Sequence, residues 1–163
     1  GNVDLPELNK GLIWPNNFCL GEIQCALGVK LLDRVVELNQ EKRHRALQFI
    51  DAFMDQPEIE FHREDSDRHN YHLLVARLAV GNRDDFIRLM ACEHRIQGVV
   101  QYYPLYRYPF YKQLGLGSAR CSNTDKFFDS MISFPFHHSL NSSQLDQIRS
   151  AAINALSRVS AGN

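Results

Sequence analysis

The sequence predicts an α+β domain, in which a small and mainly antiparallel sheet is covered by helices on one face. Two observations lead to this prediction. Apolar residues recur at helical spacing in separate stretches, and three short β-branched or aromatic runs lie between them. The order helix, strand, strand, helix, strand differs from the regular strand–helix alternation of a parallel sheet. At 163 residues the chain is long enough for one domain with a proper core and too short for two ordinary ones.

One long helix, or two helices joined by a kink, is predicted from Gly21 to the residues before Pro57, with a length of about 50 Å. Its apolar residues recur at every third or fourth position, on both sides of the polar run NQEKRHR. We expect this stripe to lie in the core, and Cys25 within the pattern to be a buried free thiol. The stripe consists of Ile23, Ala26, Leu27, Leu31, Val35, Leu38, Ala46, Phe49, Ile50 and Phe53.

Strands are predicted at 58–62, 71–80 and 97–101, where β-branched and aromatic residues lie between turn-forming residues. The last of these strands leads into a segment, VVQYYPLYRYPFYKQ, that contains five tyrosines and two prolines. The prolines argue against an ordinary helix and a central strand, so we expect a stiff, ordered loop. Such a loop either lines a site or covers the edge of a core.

Three further helices are expected after the second strand. Asn82 is predicted to cap a helix that runs to about His94. The segment TDKFFDSMISF is predicted to be a short helix that ends at Pro135. Asn141, with Gln144 three residues later, resembles a capping box at the start of the last helix.

The composition excludes several classes of function. A formal net charge of −1 gives no electrostatic reason to expect binding to nucleic acid or to an anionic membrane. Apolar runs are too short to cross a membrane, and the first residues lack the features of a signal peptide. The four cysteines (Cys19, Cys25, Cys92 and Cys121) match no zinc or redox spacing, which predicts a reducing, cytoplasmic environment and no metal.

Several stretches, taken together, resemble the DegT/DnrJ/StrS family of pyridoxal-phosphate-dependent sugar aminotransferases. They are WPNNFCLGEIQCALGVKLLDRV, NYHLLVARL, GVVQYYPLYRYPFY and FFDSMISFPFHHSLNSSQLDQI, in the family's order and spacing. The resemblance implies the small C-terminal domain of an aspartate-aminotransferase-like fold. Residues 1–20 would form an arm between domains, and 21–163 the small domain itself. It also implies a homodimer that transfers an amino group from an amino-acid donor to a nucleotide-linked keto sugar, for amino-sugar or polysaccharide synthesis.

In the family, the large domain carries the lysine that holds pyridoxal phosphate. The lysines of this chain (Lys10, Lys30, Lys42, Lys112 and Lys126) lie in none of the family's Schiff-base contexts. The resemblance therefore implies pyridoxal phosphate in the full-length enzyme, and a chain that by itself binds no cofactor covalently and is inactive. Two alternatives stay open: a pyridoxal-phosphate-dependent sugar dehydratase of the same family, or a non-catalytic interaction module.

The resemblance also suggests site residues. Asn17 corresponds to an asparagine that reaches the partner subunit's cofactor phosphate, although Cys19 stands where the family usually has arginine. His72 corresponds to a histidine that faces the sugar-nucleotide pocket. Gln101 replaces a histidine and so cannot titrate there, and with Tyr102 and Tyr103 it is predicted to form a wall of the substrate cleft.

Three other polar residues are assigned no role in the chemistry. His137 and His138 form a tandem pair, but we interpret both as structural or exposed. Arg107 could pair with a diphosphate or face water, and the sequence favours the second.

Overall fold

The computed structural model describes residues 20–79 and 82–161 and confirms the α+β class. Asn17 and the rest of the predicted arm up to residue 19 lie outside the described residues. The helices are α1 (Glu22–Asp51), α2 (Arg83–His94), α3 (Pro109–Gln113), α4 (Ser122–Ser130) and α5 (Ser142–Ala161). The strands are β1 (Ile59–Phe61), β2 (Leu74–Leu78) and β3 (Met131–Phe134). Within the described ranges, none of the helices combines the length and apolar character needed to cross a membrane.

The chain divides into two compact units. Among the described residues, one unit comprises 20–35 and 105–119, and it holds the first half of α1, a 3-10 turn and α3. The other comprises residues 36–104 and 120–163, and it holds the second half of α1, the sheet and the remaining helices. The boundary predicted between an arm at 1–20 and a domain at 21–163 stays a prediction.

The sheet has the order β1-β2-β3, and both pairings are antiparallel. Side chains alternate between the two faces of a strand, and β2 follows this rule. One face, called here the inner face, carries the buried residues Leu74, Ala76 and Leu78. The other, called the outer face, carries Val75 and, in register across β3, Ser133. The inner face packs on the core, whereas on the outer face Ser133 is buried and Val75 is half-buried.

The core of the second unit is a cluster of phenylalanine rings against the inner face of the sheet. Its rings are those of Phe49 from α1, Phe53 from the turn after α1, Phe61 from β1, Phe86 from α2 and Phe134 from β3. The centroids of Phe61 and Phe134 lie 5.6 Å apart, within the range of favourable aromatic pairs. The helices α2 and α5 also pack on one another, through residues such as Met90 and Ala152 that are fully buried.

The expectation that the whole apolar stripe of α1 is buried is wrong. Ile23 is 85% exposed, and Leu27 and Leu31 are also exposed, whereas burial begins at Ala46. Cys25, expected as a buried thiol, is exposed as well. Helical periodicity identifies which face of a helix is apolar, but it does not tell which other part of a protein, if any, covers that face.

The third strand also differs from the prediction. Residues 97–101 form a single bridge, in which Val99 and Ser133 exchange both backbone hydrogen bonds. The third strand is β3, which was expected to be the end of a helix up to Pro135 and instead follows that helix directly. Its four residues are all buried, so pairing with β2 outweighs helical propensity here. Gly98 permits the close approach, because a Cβ at this position would lie 2.5 Å from Ile132 Cδ1.

The tyrosine-rich segment is more helical than expected. A 3-10 turn spans Leu105–Arg107, and α3 begins at Pro109, although the prolines were taken to exclude a helix. Proline is compatible with the first turn of a helix, where its missing N–H has no partner in any case. The sequence argument was therefore valid for a helix interior but not for a helix start.

Both predicted helix caps are confirmed. At α2, Asn82 Oδ1 accepts a hydrogen bond from the Asp84 amide at 2.8 Å. At α5, the Gln144 amide donates to Asn141 Oδ1 at 2.9 Å, and the Asn141 amide donates to Gln144 Oε1 at 3.0 Å. The second arrangement is a reciprocal capping box, which satisfies two backbone donors at once.

A folded loop, residues 62–73, connects β1 to β2, where the sequence predicted a strand from residue 71. Tyr71 is 1% exposed and has a positive φ of 48°. Its hydroxyl donates to the Glu64 carbonyl at 3.0 Å and accepts from the Glu64 amide at 2.8 Å. The side chain of Tyr71 therefore closes the loop on itself, and β2 starts only at Leu74.

We expect Tyr71→Phe to reduce the free energy of unfolding by about 1–2 kcal/mol, because the Glu64 amide loses its partner. Urea denaturation of the two proteins measures this difference. Tyr102→Phe is the matched control, since Tyr102 is exposed. Equal losses in both variants would contradict the role assigned to the Tyr71 hydroxyl.

For the start of α5, we expect Asn141→Ala to cost about 1 kcal/mol of stability, the usual loss on removing a cap. Ser143→Ala, in the same exposed helical turn, should change stability much less. Thermal unfolding of both variants under one buffer condition gives the comparison. A melting temperature of Asn141→Ala equal to that of wild type would show that the box does not stabilise the helix.

Candidate functional site

A cavity of about 350 Å³ opens beside the outer face of the sheet. Its polar lining comes from the β1–β2 loop and from the segment that follows the Val99 bridge, and its apolar lining comes from Leu73 of the same loop and from β2, β3 and α4. The lining residues are His62, His69, Asn70, His72, Leu73, Val75, Gln101, Phe127 and Met131. A mostly apolar pocket with a few convergent polar groups is typical of small-molecule sites.

The histidine wall of this cavity is held by local hydrogen bonds. His69 Nδ1 accepts from the Tyr71 amide at 3.1 Å, so this nitrogen carries no proton and the N–H must be on the other ring nitrogen. Asn70 Oδ1 accepts from the His72 amide at 3.0 Å. The rings of His62 and His69 lie 5.1 Å apart, and the ring of His69 stands edge-on to Tyr71. The loop therefore presents three imidazoles along one side of the cavity.

The environment of His69 favours its neutral form. Partial burial lowers the pKa of His69 below its ordinary value, and the neighbouring His62 lowers it further, against an opposing effect of Glu64. The pKa of Glu64 is itself lowered by hydrogen bonds from the backbone and the side chain of Ser66. A neutral imidazole both donates and accepts hydrogen bonds, which suits a ligand that carries hydroxyl groups.

The structure brings together two of the five predicted site residues. His72 and Gln101, 29 positions apart in the sequence, line the same cavity. Tyr102 and Tyr103 do not line it: Tyr102 is 70% exposed, and the ring of Tyr103 packs edge-on to Phe128 at 5.3 Å. Asn17, the fifth, lies outside the described residues.

Sequence reasoning missed His62, His69 and Phe127. His62 follows β1 directly, and its amide donates to the Val75 carbonyl at 3.2 Å, so antiparallel pairing puts it next to β2. The pattern HREDSDRHNYH, with histidines at both ends of a charged loop, was the available signal. His137 and His138 are exposed and do not line this cavity, and the sequence interpretation was that both are structural or exposed.

The cavity does not fit pyridoxal phosphate as a bound cofactor. Covalent attachment needs a lysine, and none of its nine lining residues is a lysine, an aspartate or a glutamate. Lys42 donates to the His72 carbonyl at 3.3 Å and lies near the ring of Phe136, and partial burial lowers its pKa. Nor do the described residues contain a group of three or more histidine, cysteine or acidic side chains that could hold a metal ion. The arrangement is suited to binding a polar ligand through imidazole and amide groups.

Comparison with known proteins gives a consistent result. The family model for DegT/DnrJ/EryC1/StrS aminotransferases matches residues 9–152. A UDP-4-amino-4,6-dideoxy-N-acetyl-beta-L-altrosamine transaminase from Campylobacter jejuni strain 81-176 is 28% identical over 153 residues, which are 90% of this chain and 39% of that protein. This chain therefore spans about two fifths of the length of that relative.

Solved structures agree with the fold. PseC from Helicobacter pylori, an aminotransferase involved in the biosynthesis of pseudoaminic acid, superposes with a TM-score of 0.72 at 27% identity, over 90% of this chain and 40% of that one. An aminotransferase from Psychrobacter cryohalolentis gives a TM-score of 0.78 at 20% identity over 90% of this chain and 41% of that one, which supports the fold alone. With a family match over most of its length, this chain belongs to the DegT/DnrJ/EryC1/StrS aminotransferase family.

Proposed function

We propose that this chain forms part of the substrate cleft of a pyridoxal-phosphate-dependent aminotransferase that acts on a nucleotide-linked keto sugar. The observation that carries the proposal is the outer-face cavity, which brings His72 and Gln101 together with His62 and His69. Two relatives of this chain are named as transaminases of UDP-linked sugars, and both are longer than this chain. The proposal therefore concerns a protein that includes a cofactor-binding part besides this chain.

The chemistry of the cavity supports a sugar as the ligand. Sugar hydroxyls are donors and acceptors at once, and the imidazole of His72 and the amide of Gln101 can satisfy both functions. Phe127 and Val75 offer an apolar surface for the ring carbons. Acidic side chains are absent from the lining, so it does not repel a ligand that carries a negative charge elsewhere.

The remaining roles follow from this proposal. Pyridoxal phosphate supplies the amino-group chemistry when bound elsewhere in the whole protein, with an amino-acid donor, and the chain alone neither holds it covalently nor turns over substrate. Asn17 contacts the cofactor phosphate across a homodimer interface. Tyr102 and Tyr103 reach the substrate from outside the cavity, where Tyr102 is exposed.

In the whole protein, we expect His72→Ala and Gln101→Ala each to lower kcat/KM for the sugar nucleotide about tenfold, the usual effect of one lost substrate hydrogen bond. Most of the change should be in KM, because these side chains bind the sugar away from the cofactor. Steady-state kinetics with a UDP-linked keto sugar, at saturating amino donor, separates the two constants.

His137→Ala serves as the matched control and should keep the wild-type kinetics, since His137 is exposed and not in the cavity lining. Unchanged kinetics in both cavity variants would contradict the proposal. So would an absence of amino transfer by the wild-type protein when tested on keto-sugar nucleotides with pyridoxal phosphate and a range of amino donors.

The neutral state of His69 gives a pH prediction. An imidazole in the unfolded chain titrates near pH 6.5, and the pKa of His69 in the folded chain is lower. Between the two pKa values the unfolded state binds more protons, so stability is lost as the pH falls through that window. We expect the wild-type protein to lose stability from pH 7 towards pH 5, and His69→Gln to lose less, because glutamine does not titrate.

Urea denaturation at a series of pH values measures this difference. His62 and Glu64 are the titratable groups that interact electrostatically with His69, so His62→Gln is measured in parallel to remove the first of these interactions. His138→Gln, at an exposed histidine that does not line the cavity, is measured as the control. If the stability of His69→Gln falls between pH 7 and pH 5 as much as that of wild type, His69 does not cause the loss of stability at acidic pH.

A further inference from the structure

Two cations on the second half of α1 hold the β1–β2 loop that carries the histidines. Arg43 Nε donates to the Ser66 carbonyl at 2.7 Å, and Arg43 Nη2 donates to the Asp65 carbonyl. Lys42 Nζ donates to the His72 carbonyl at 3.3 Å. The helix is therefore bonded to the main chain of the loop at two places, one in the first half of the loop and one near its end.

His69 and Asn70 lie between these two attachment points. His69 Nδ1 accepts from the Tyr71 amide, and Asn70 Oδ1 accepts from the His72 amide. These two bonds lie within the loop and fix its local shape, whereas the bonds from Arg43 join the loop to the helix. His69, Asn70 and Arg43 border one cleft of about 650 Å³ between the helix and the loop. The contacts made by α1 therefore act on the part of the loop that carries the imidazoles.

Another contact between the loop and α1 is weaker. Arg63 forms an ion pair with Asp51 at the end of the helix, and the two side chains are 39% and 49% exposed. Ion pairs between exposed side chains contribute little to stability, because water and salt screen them. Lys42 and Arg43 are half-buried, and their acceptors belong to the backbone, so these two cations hold the main chain itself.

A further cation of the same helix makes the same kind of contact with a different segment. Arg45 also donates to two backbone carbonyls, those of His138 and Leu140. It is half-buried like Arg43, but it holds the turn before α5 and not the histidine loop. Arg43 and Arg45 therefore differ in which segment they hold, and a comparison of the two separates a role in the site from a role in stability alone.

We propose that Arg43, assisted by Lys42, is a positioning residue for substrate binding, because it holds the β1–β2 loop so that His69 and His72 face the sugar. The role of the two histidines rests on the function proposed above, whereas the anchoring of the loop rests on the contacts alone. Arg43 acts through the loop and does not touch the sugar. A side chain that is held in its binding geometry before the ligand arrives loses less conformational freedom on binding, so the affinity is higher.

In the whole protein, Arg43→Gln should raise KM for a UDP-linked keto sugar about tenfold, the effect expected from losing one charged hydrogen bond, and should leave kcat near the wild-type value. Arg45→Gln is the matched control and should leave KM unchanged, although it loses a comparable pair of contacts. Lys42→Met should raise KM less, because it removes one bond only, and Lys42→Arg should retain the wild-type KM. Urea denaturation measures the stability that each variant loses, and Lys42→Met keeps the test available if Arg43→Gln does not fold.

A double-mutant cycle tests whether Arg43 acts through the histidines. In a protein that already carries His69→Ala and His72→Ala, Arg43→Gln should change KM by no more than about twofold, because no imidazole is left to position. An undiminished effect in that background would show that Arg43 binds the substrate itself, and it would overturn the positioning role. Equal increases of KM in Arg43→Gln and Arg45→Gln would also overturn it, since the effect would then follow from stability alone.

Hydrogen–deuterium exchange of the whole protein, measured by mass spectrometry, tests the anchoring without the reaction. The amides of Tyr71 and His72 are hydrogen-bonded within the loop, and they should exchange about tenfold faster in Arg43→Gln than in wild type or Arg45→Gln, because the loop opens more often. Equal exchange in the two arginine variants would overturn the inference even in an active enzyme. Faster exchange in Arg43→Gln, in a protein that transfers no amino group to a sugar nucleotide, would support the anchoring and contradict the proposed function.

Discussion

The pairing of β2 with both β1 and β3 is the constraint on which the rest of the second unit depends. Because β2 is the central strand, its backbone donors and acceptors are satisfied on both sides. The period of two then assigns each side chain to a face. Leu74 and Ala76 complete the phenylalanine core, and Val75 between them contributes to the cavity. A shift of one residue in this register would exchange the two faces and remove both features.

The β1–β2 loop supplies the polar wall of the cavity beside this sheet. Tyr71 buries its ring and uses its hydroxyl within the loop, which fixes the backbone at the entry to β2. His69 and Asn70 consequently line both the histidine cavity and a cleft whose other lining residues include Arg43 and Arg68. A short loop can carry both kinds of group because its internal hydrogen bonds replace the contacts that a sheet would provide.

The apolar residues in the first half of α1 are exposed, whereas most of those in its second half are buried or half-buried. From Ala46 onward the helix is part of the core, and its exposed beginning carries residues as apolar as Ile23 and Leu27. Exposed apolar residues at helical spacing are typical of surfaces that pack on another part of a protein. This observation agrees with a chain that spans about two fifths of the length of its relatives.

The sequence by itself determined the class, the two helix caps, two of the three strands and the family. These features depend on local patterns: Asn141 and Gln144 are three residues apart, and the β2 residues alternate over five positions. Likewise, His72 and Gln101, which line one cavity, were proposed as candidate site residues from motifs that are continuous in the sequence.

Only the tertiary structure decided which elements meet. Met131–Phe134 became a strand because β2 offered an edge, and residues 97–101 were reduced to one bridge beside it. His62 and His69 joined the cavity through the antiparallel pairing of β1 and β2, and Tyr102 did not join it. Such outcomes depend on contacts between residues that are far apart in the chain, which local propensity and periodicity do not encode.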